Sequence, residues 1–155
     1  MAGLRLLIRT DGAARGNPGP ASAGAVLIDA AQPDAAHPDA APLSVVARPL
    51  GVQTNNVAEY TALLLALQEA LRLGAEEVDV RLDSLLIVQQ LAGRWRVKDA
   101  RLKVLHAEAM ALLGRLRSWR ASHEPRATNR AADALANLAL DDPVEAARRE
   151  ASTRG

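Results

Sequence analysis

The sequence predicts an α/β fold, and three observations carry the prediction. Short runs such as Leu4–Arg9 and Val78–Leu82 alternate apolar and polar positions, the period of strands. A longer run places Val57, Tyr60, Leu64, Leu67 and Leu71 at spacings of three and four, the period of a helix with one apolar stripe. The two kinds of run interleave in the order β-β-β-α-β-α-α-β-α, with no linker rich in Gly or Ser to divide them. A chain of 155 residues suits one domain with a sizeable core.

In the first strand Leu4, Leu6 and Ile8 alternate with Arg5, Leu7 and Arg9. It is expected to stop at Asp11, because Gly12, Gly16, Asn17, Pro18 and Gly19 forbid a helix from following at once. Ala21–Ile28 and Leu43–Leu50 read as the second and third strands. Between them DAAQPDAAHPDAAP, residues 29–42, nearly repeats itself and holds three prolines. A protruding, mobile hairpin loop is expected there, with no role for His37. The first helix runs from Thr54–Asn56 to about Leu73 and stops at Gly74, with Asn55 or Asn56 as its cap. Glu59 lies near its first turn, where the helix dipole favours a carboxylate.

Glu76–Leu82 is the fourth strand and ends on Asp83, repeating the pattern of Asp11. Ser84–Leu91 is a second helix, closed by Gly93. The connection Arg94–Lys98 leads into a third helix, about Asp99 to Leu113, with Leu102, Leu105, Ala109 and Leu112 as its stripe. Leu116–His123 is the fifth strand, broken by Pro125. Asn129 to about Leu140 is a last helix with Asp133 in its first turns. This places the domain at 1–141, and 142–155 is expected to be a frayed polar tail.

The composition excludes several chemistries. With no cysteine there are no disulfides, thiolate zinc sites or cysteine nucleophiles, and the chain suits a reducing cytoplasm. No secretion signal is visible, and no run approaches the roughly 18 apolar residues that cross a bilayer. Phe is absent, so the core is aliphatic. The net charge of +1 hides an asymmetry. Arg94–Arg130 sums to about +7, the chain before it to about −4 and the chain after it to about −2. Such a division suits a protein that holds cations at one place and a polyanion beside it, although a solvated helix face would look the same.

Four acids stand at element ends: Asp11, Glu59, Asp83 and Asp133. In α/β proteins sites gather where strand ends meet helix starts, so one face can collect all four. Carboxylates without Cys or evident His ligands select hard cations such as Mg²⁺ or Mn²⁺. Singly, each acid also has an ordinary explanation in capping or strand-end solvation.

TDGAARGNPGPASAG, TNNVAEYTALLLAL, DSLLIVQQL and NRAADALAN, in this order and at these intervals, resemble the four acidic motifs of type 1 ribonuclease H. The resemblance runs from about Ile8 to Ala139. It implies a ribonuclease H-like fold, a five-stranded mixed sheet of order 3-2-1-4-5 flanked by helices. It also implies that Asp11, Glu59, Asp83 and Asp133 bind two Mg²⁺ ions, with Mn²⁺ as a substitute. In the resemblance Asp11 bridges both ions, Glu59 and Asp83 support one, and Asp133 holds the other and helps position the water. The activity implied is cleavage of the RNA strand of an RNA–DNA hybrid, leaving 3′-hydroxyl and 5′-phosphate ends. Asn17, Asn55 and Asn56 match residues that contact the hybrid from its minor groove, and Thr54 one that binds a DNA-strand phosphate. Local capping is the other reading of the asparagines.

This chain lacks the long basic insertion some members carry after the second helix, and so is similar to the compact archaeal and bacterial branch. Grip then rests on Arg94, Arg96, Lys98, Arg101 and Lys103, with steep salt dependence expected. Trp95 is either a sugar-stacking residue or a rim position. Leu85 stands where well-studied members place a Gln that touches RNA. His123, ten residues before Asp133, matches a mobile histidine that assists proton transfer or product release. HEPRATN also resembles a compact-branch pattern in which this His ends a strand and Arg126 supplies charge near the phosphate. The expectation is a monomeric hybrid-cutting endonuclease with no small-molecule cofactor and no membrane association. The alternatives are a nucleic-acid-binding module with little turnover, or a double-stranded RNA hydrolase.

Overall fold

The structure, a computed structural model, describes residues 3–154. Its five strands are β1 (Leu4–Ala14), β2 (Gly19–Asp29), β3 (Ser44–Gln53), β4 (Ala75–Leu82) and β5 (Ser118–His123). They form one mixed sheet in the order β3-β2-β1-β4-β5, as the resemblance implied. β1 lies at the centre, antiparallel to β2 and parallel to β4, which is in turn parallel to β5. Helices α1 (Asn55–Arg72), α2 (Leu85–Leu91) and α3 (Ala100–Leu113) pack on one face. The other face carries α4 (Arg130–Asp141) and α5 (Pro143–Arg154).

Alternation along β1 divides it between two cores. Leu6 and Ile8 join Leu27, Val46 and Val80 beneath Tyr60, Leu63, Leu67, Ile87 and Leu113. Leu7 joins Val26, Ile28 and Val45 beneath Leu135, Ala139 and Ala146. Each fully buried Leu or Ile contributes about 1.5–3 kcal/mol relative to exposure. No helix among the described residues is long and apolar enough to cross a membrane.

Several expectations need correction. β1 does not stop at Asp11 but continues to Ala14, because Gly12–Ala14 pair with Ala21–Ala23 of β2 as an extended ladder. α1 is capped by neither Asn55 nor Asn56: the Thr54 hydroxyl accepts from the Val57 amide at 3.3 Å. Residues 143–154 are the helix α5 rather than a frayed tail, since Ala146 and Glu150 are buried and Glu150 pairs with Arg48 of β3. The 29–42 insertion does not protrude, because Ala35 and Ala40 sit in the second core. Pairing of β2 with β3 slips by one residue between Ala21 and Ser22, leaving Leu50 as a bulge beside Pro49.

Candidate active site

Strand register brings the first two acids together. The parallel pairing of β1 with β4 ends at Thr10 and Leu82, so Asp11 and Asp83 leave the last shared rung side by side. Leu82 is also the partner of His123, the last residue of β5, which extends the row. The parallel pairing thus ends at one place, while β1 runs on beside β2. Glu59 arrives from α1, and Gly12 explains how closely. A Cβ at Gly12 would run into the Ala58 carbonyl and the Glu59 amide, so only glycine lets α1 lie this near β1. Gly24, the partner of Asp11 in β2, does the same for α4, whose Ala132 carbonyl occupies the space a Cβ would need. Asp133 follows Ala132 and is thereby delivered to the site.

Asp11, Glu59 and Asp83 each offer a carboxylate oxygen, and these oxygens all lie within 4.8 Å of one another. Asp133 is not one of this trio, but it lies near enough to act on the Asp11 carboxyl. Burial first, then Asp133, Asp83 and Glu59, push Asp11 up to about 8. Burial and the Asp83 charge push Glu59 up to about 7, against a hydrogen bond from the Ser84 hydroxyl and the charge of Arg126. Asp83 is also raised, mainly by burial, with Arg126 opposing. Glu59 is the fifth residue of α1, beyond the first turn, so the expected help from the helix dipole is not available to it. Of the four acids only Asp133 occupies the first turn of its helix.

The donor set is all oxygen and carries a surplus of negative charge, which suits a hard divalent cation. The raised carboxyls fit it as well: they crowd together at a strain that positive charge would relieve. The metal-dependence implied by the acids thus has a physical site among the described residues.

His123 and Arg126 border this cluster. The His123 ring shares a 3.2 Å hydrogen bond with the Asp83 carbonyl oxygen, so this histidine ends a strand instead of riding a free loop. Arg126, exposed on a single 3-10 turn (Arg126–Thr128), lies 3.6 Å from an Asp133 carboxylate oxygen. Asn17, Thr54, Asn55 and Asn56 line an open cleft of about 470 Å³ together with Arg101. There the Asn17 side-chain oxygen accepts from the Asn55 amide at 3.1 Å, tying the first turn of the chain to α1. Arg94, Arg96 and Lys98 are exposed on the α2–α3 connection and do not line that cleft. Gln90 supports this connection, accepting from the Tyr60 hydroxyl and donating to the Arg96 carbonyl at 3.4 Å.

Residues 9–139 match the family model described as reverse transcriptase-like. The chain is 42% identical to the ribonuclease H1 of the halophilic archaeon Halobacterium salinarum, covering 89% of this chain and 98% of that structure at a TM-score of 0.81. The chain belongs to the ribonuclease H1 family. A second ribonuclease H1 structure, LC11-RNase H1 from compost, is 38% identical over 90% of this chain and 99% of that one, at a TM-score of 0.79. That protein was crystallised with an RNA/DNA hybrid. The bifunctional protein Rv2228c of Mycobacterium tuberculosis is 40% identical over 96% of this chain. Against this mycobacterial relative the chain spans 39% of the length.

Sequence reasoning missed several residues that build this ribonuclease H1-type site. Asn129 reads only as the start of the last helix but is buried and donates to the Thr10 carbonyl at 2.8 Å, one residue before Asp11. Ser84 was visible only as a helix start, yet it both caps α2 and bonds Glu59. Arg9, an ordinary strand position by its period, is 1% exposed and pairs with Glu124 at 3.1 Å. No local signal marks Arg9, because its partner is 115 residues away.

Proposed function

We propose that this chain is an endoribonuclease that hydrolyses the RNA strand of RNA–DNA hybrids with divalent cations held by Asp11, Glu59, Asp83 and Asp133. The observation that carries the reading is the carboxylate trio where the β1–β4 pairing ends beside α1, its members within 4.8 Å of one another and two of them raised to about 7 and 8. Crowded, partly buried acids with raised carboxyls point to a cation that answers them. Two Mg²⁺ ions, or Mn²⁺ in their place, would supply concentrated positive charge for the phosphodiester oxygens and the attacking water.

The chain's own groups do the rest. Asp133, adjoining Asp11 and Arg126, is placed to orient the water that adds to phosphorus. Arg126 offers an exposed guanidinium for a phosphate oxygen, and its pairing with Asp133 holds it beside the acids. His123, fixed to the Asp83 carbonyl, accepts or returns a proton at its ring as the P–O3′ bond breaks and the 3′-hydroxyl and 5′-phosphate ends form. The Asn17, Asn55 and Asn56 amides can read 2′-hydroxyls across a wide minor groove, the feature that distinguishes an RNA strand. Thr54 and Arg101 in the same cleft, with Arg94, Arg96 and Lys98 beyond it, take backbone phosphates. We assign this work to a monomeric unit in the cytoplasm with no small-molecule cofactor, its catalytic residues within 1–141 and α5 a brace on β3.

The test is cleavage of a labelled RNA–DNA hybrid in Mg²⁺ and in Mn²⁺, beside RNA–RNA and DNA–DNA duplexes. Cleavage confined to the RNA strand of the hybrid, abolished by chelator and by Asp83→Asn, is the expected result. Hybrid binding without cleavage in either metal would leave a binding module in its place. Cutting of RNA–RNA at a comparable rate would make the chain a broader hydrolase.

A further inference from the structure

We propose that the 29–42 insertion positions the segment that carries His123, Arg126 and Asp133, holding it from two sides through the positioning residues Arg9 and Asp39. The proposal rests on the hydrolase reading above, which gives those three residues their work. On the near side, Arg9 reaches Glu124 with its Nε at 3.1 Å and the insertion's Ala36 carbonyl with its Nη2 at 3.0 Å. One buried guanidinium therefore joins the insertion to the residue that follows His123. Arg9 precedes Asp11 by two, so both side chains leave β1 on the same face. On the far side, Asp39 grips Arg130 with both carboxylate oxygens, at 3.1 and 2.8 Å, at the start of the helix that carries Asp133. The exposed turn Arg126–Thr128 is strung between these two holds.

The near-repeat in the insertion accounts for its firmness. Its two copies, Pro33–Ala36 and Pro38–Ala41, each bury their third residue, Ala35 and Ala40, in the core shared with α4. Turns link the copies, with Ala35 donating to Gln32, His37 to Asp34 and Ala40 to His37. The His37 ring accepts from the Asp39 amide at 3.0 Å, which sets the backbone of the residue that grips Arg130. A loop built this way is a scaffold, which revises the expectation of a mobile hairpin. The Asp39–Arg130 pair is exposed on both sides, so it adds little to global stability. Its fork geometry fixes orientation instead. Positioning and stability therefore come apart here.

The full-length chain with Asp39→Ala, and the swap Asp39→Arg with Arg130→Asp, test the proposal. Two readouts are used: hybrid-cleavage kinetics and amide hydrogen exchange of the peptide spanning 124–130. Asp39→Ala is expected to lower kcat about fivefold with KM and Tm unchanged, since small misplacements of reacting groups cost rate far more than binding. Exchange at 126–129 should speed up, and the swap should restore both readings. Wild-type kcat and wild-type exchange in Asp39→Ala would overturn the proposal, as would a loss that the swap fails to restore. A wild-type chain that cleaves nothing would overturn the hydrolase reading instead, and unchanged exchange in Asp39→Ala would still decide against the clasp.

Discussion

Helix α1 carries two acids on its core side, Glu59 and Glu69, and the protein treats them in opposite ways. Glu69 is buried, receives Arg72 at 2.6 and 2.9 Å, accepts from the Ser44 hydroxyl and faces Arg154 of α5. The Arg72 hydrogen bonds lead in holding its carboxyl down at about 2. Glu59, ten residues earlier, has only Ser84 and the more distant Arg126 in its favour, and burial with Asp83 drives it up to about 7. A structural acid is answered by the protein's own cations. On the proposed function, an acid that receives a visiting cation is kept short of them, at a cost in stability that the visitor removes.

Replacing the acids one at a time should sharpen that contrast. Glu59→Gln is expected to reduce hybrid cleavage by at least about a hundredfold, the scale of losing one preorganised charge. The same change should hold or raise the Tm of the metal-free protein, measured by a thermal melt with chelator. Glu69→Gln should do the reverse. It leaves Arg72 and Arg154 without their shared partner and is expected to cost about 1–3 kcal/mol of stability, read by urea titration, with cleavage per folded molecule unchanged.

The pH dependence of stability should carry opposite signs at the two places. Asp11 and Glu59 have folded values, about 8 and 7, above their ordinary ones near 4. The folded state therefore binds more protons between about pH 4 and 8, and metal-free stability falls as pH rises through that window. Glu69 is depressed to about 2, so its contribution is present above its ordinary value and disappears as pH falls toward 2. Melts of the metal-free protein at several pH values should show both slopes, with Glu59→Gln flattening the upper and Glu69→Gln the lower. Divalent cations should also flatten the upper one. The smallest effect expected is from Arg72→Ala, because Ser44 and Arg154 still face Glu69. Its melt should shift less than that of Glu69→Gln.

What was legible in the chain follows from the range of the interactions involved. Periods, turn residues and proline breaks give the five strands and four of the five helices among the described residues, because these signals are local. The four acids were legible because they fall near element boundaries, Asp11 and Asp83 just past the last β1–β4 rung and Glu59 and Asp133 early in their helices. The helix at 143–154 was not, because its polar sequence shows little apolar face and it is held by ion pairs to β3 and α1, such as Arg48–Glu150 and Arg154–Glu69. The insertion was misread for a related reason. Three prolines among alanines suggest mobility until the second core, whose helical side comes from Leu135 and Ala139 about a hundred positions away, takes in Ala35 and Ala40. Thr54 rather than its neighbours caps α1 because a one-residue difference in cap placement lies below what composition resolves.

The slipped pairing at Leu50 reaches beyond the sheet it interrupts. β3 is an outer strand, and such strands invite a further chain to add itself by backbone hydrogen bonding. Here Pro49 has no amide to offer, Leu50 falls out of step, and Gly51 turns through a positive φ of 71°. An incoming strand would meet an irregular backbone at these three residues. The irregularity that looks like a flaw in the ladder is of the kind by which edge strands discourage further pairing.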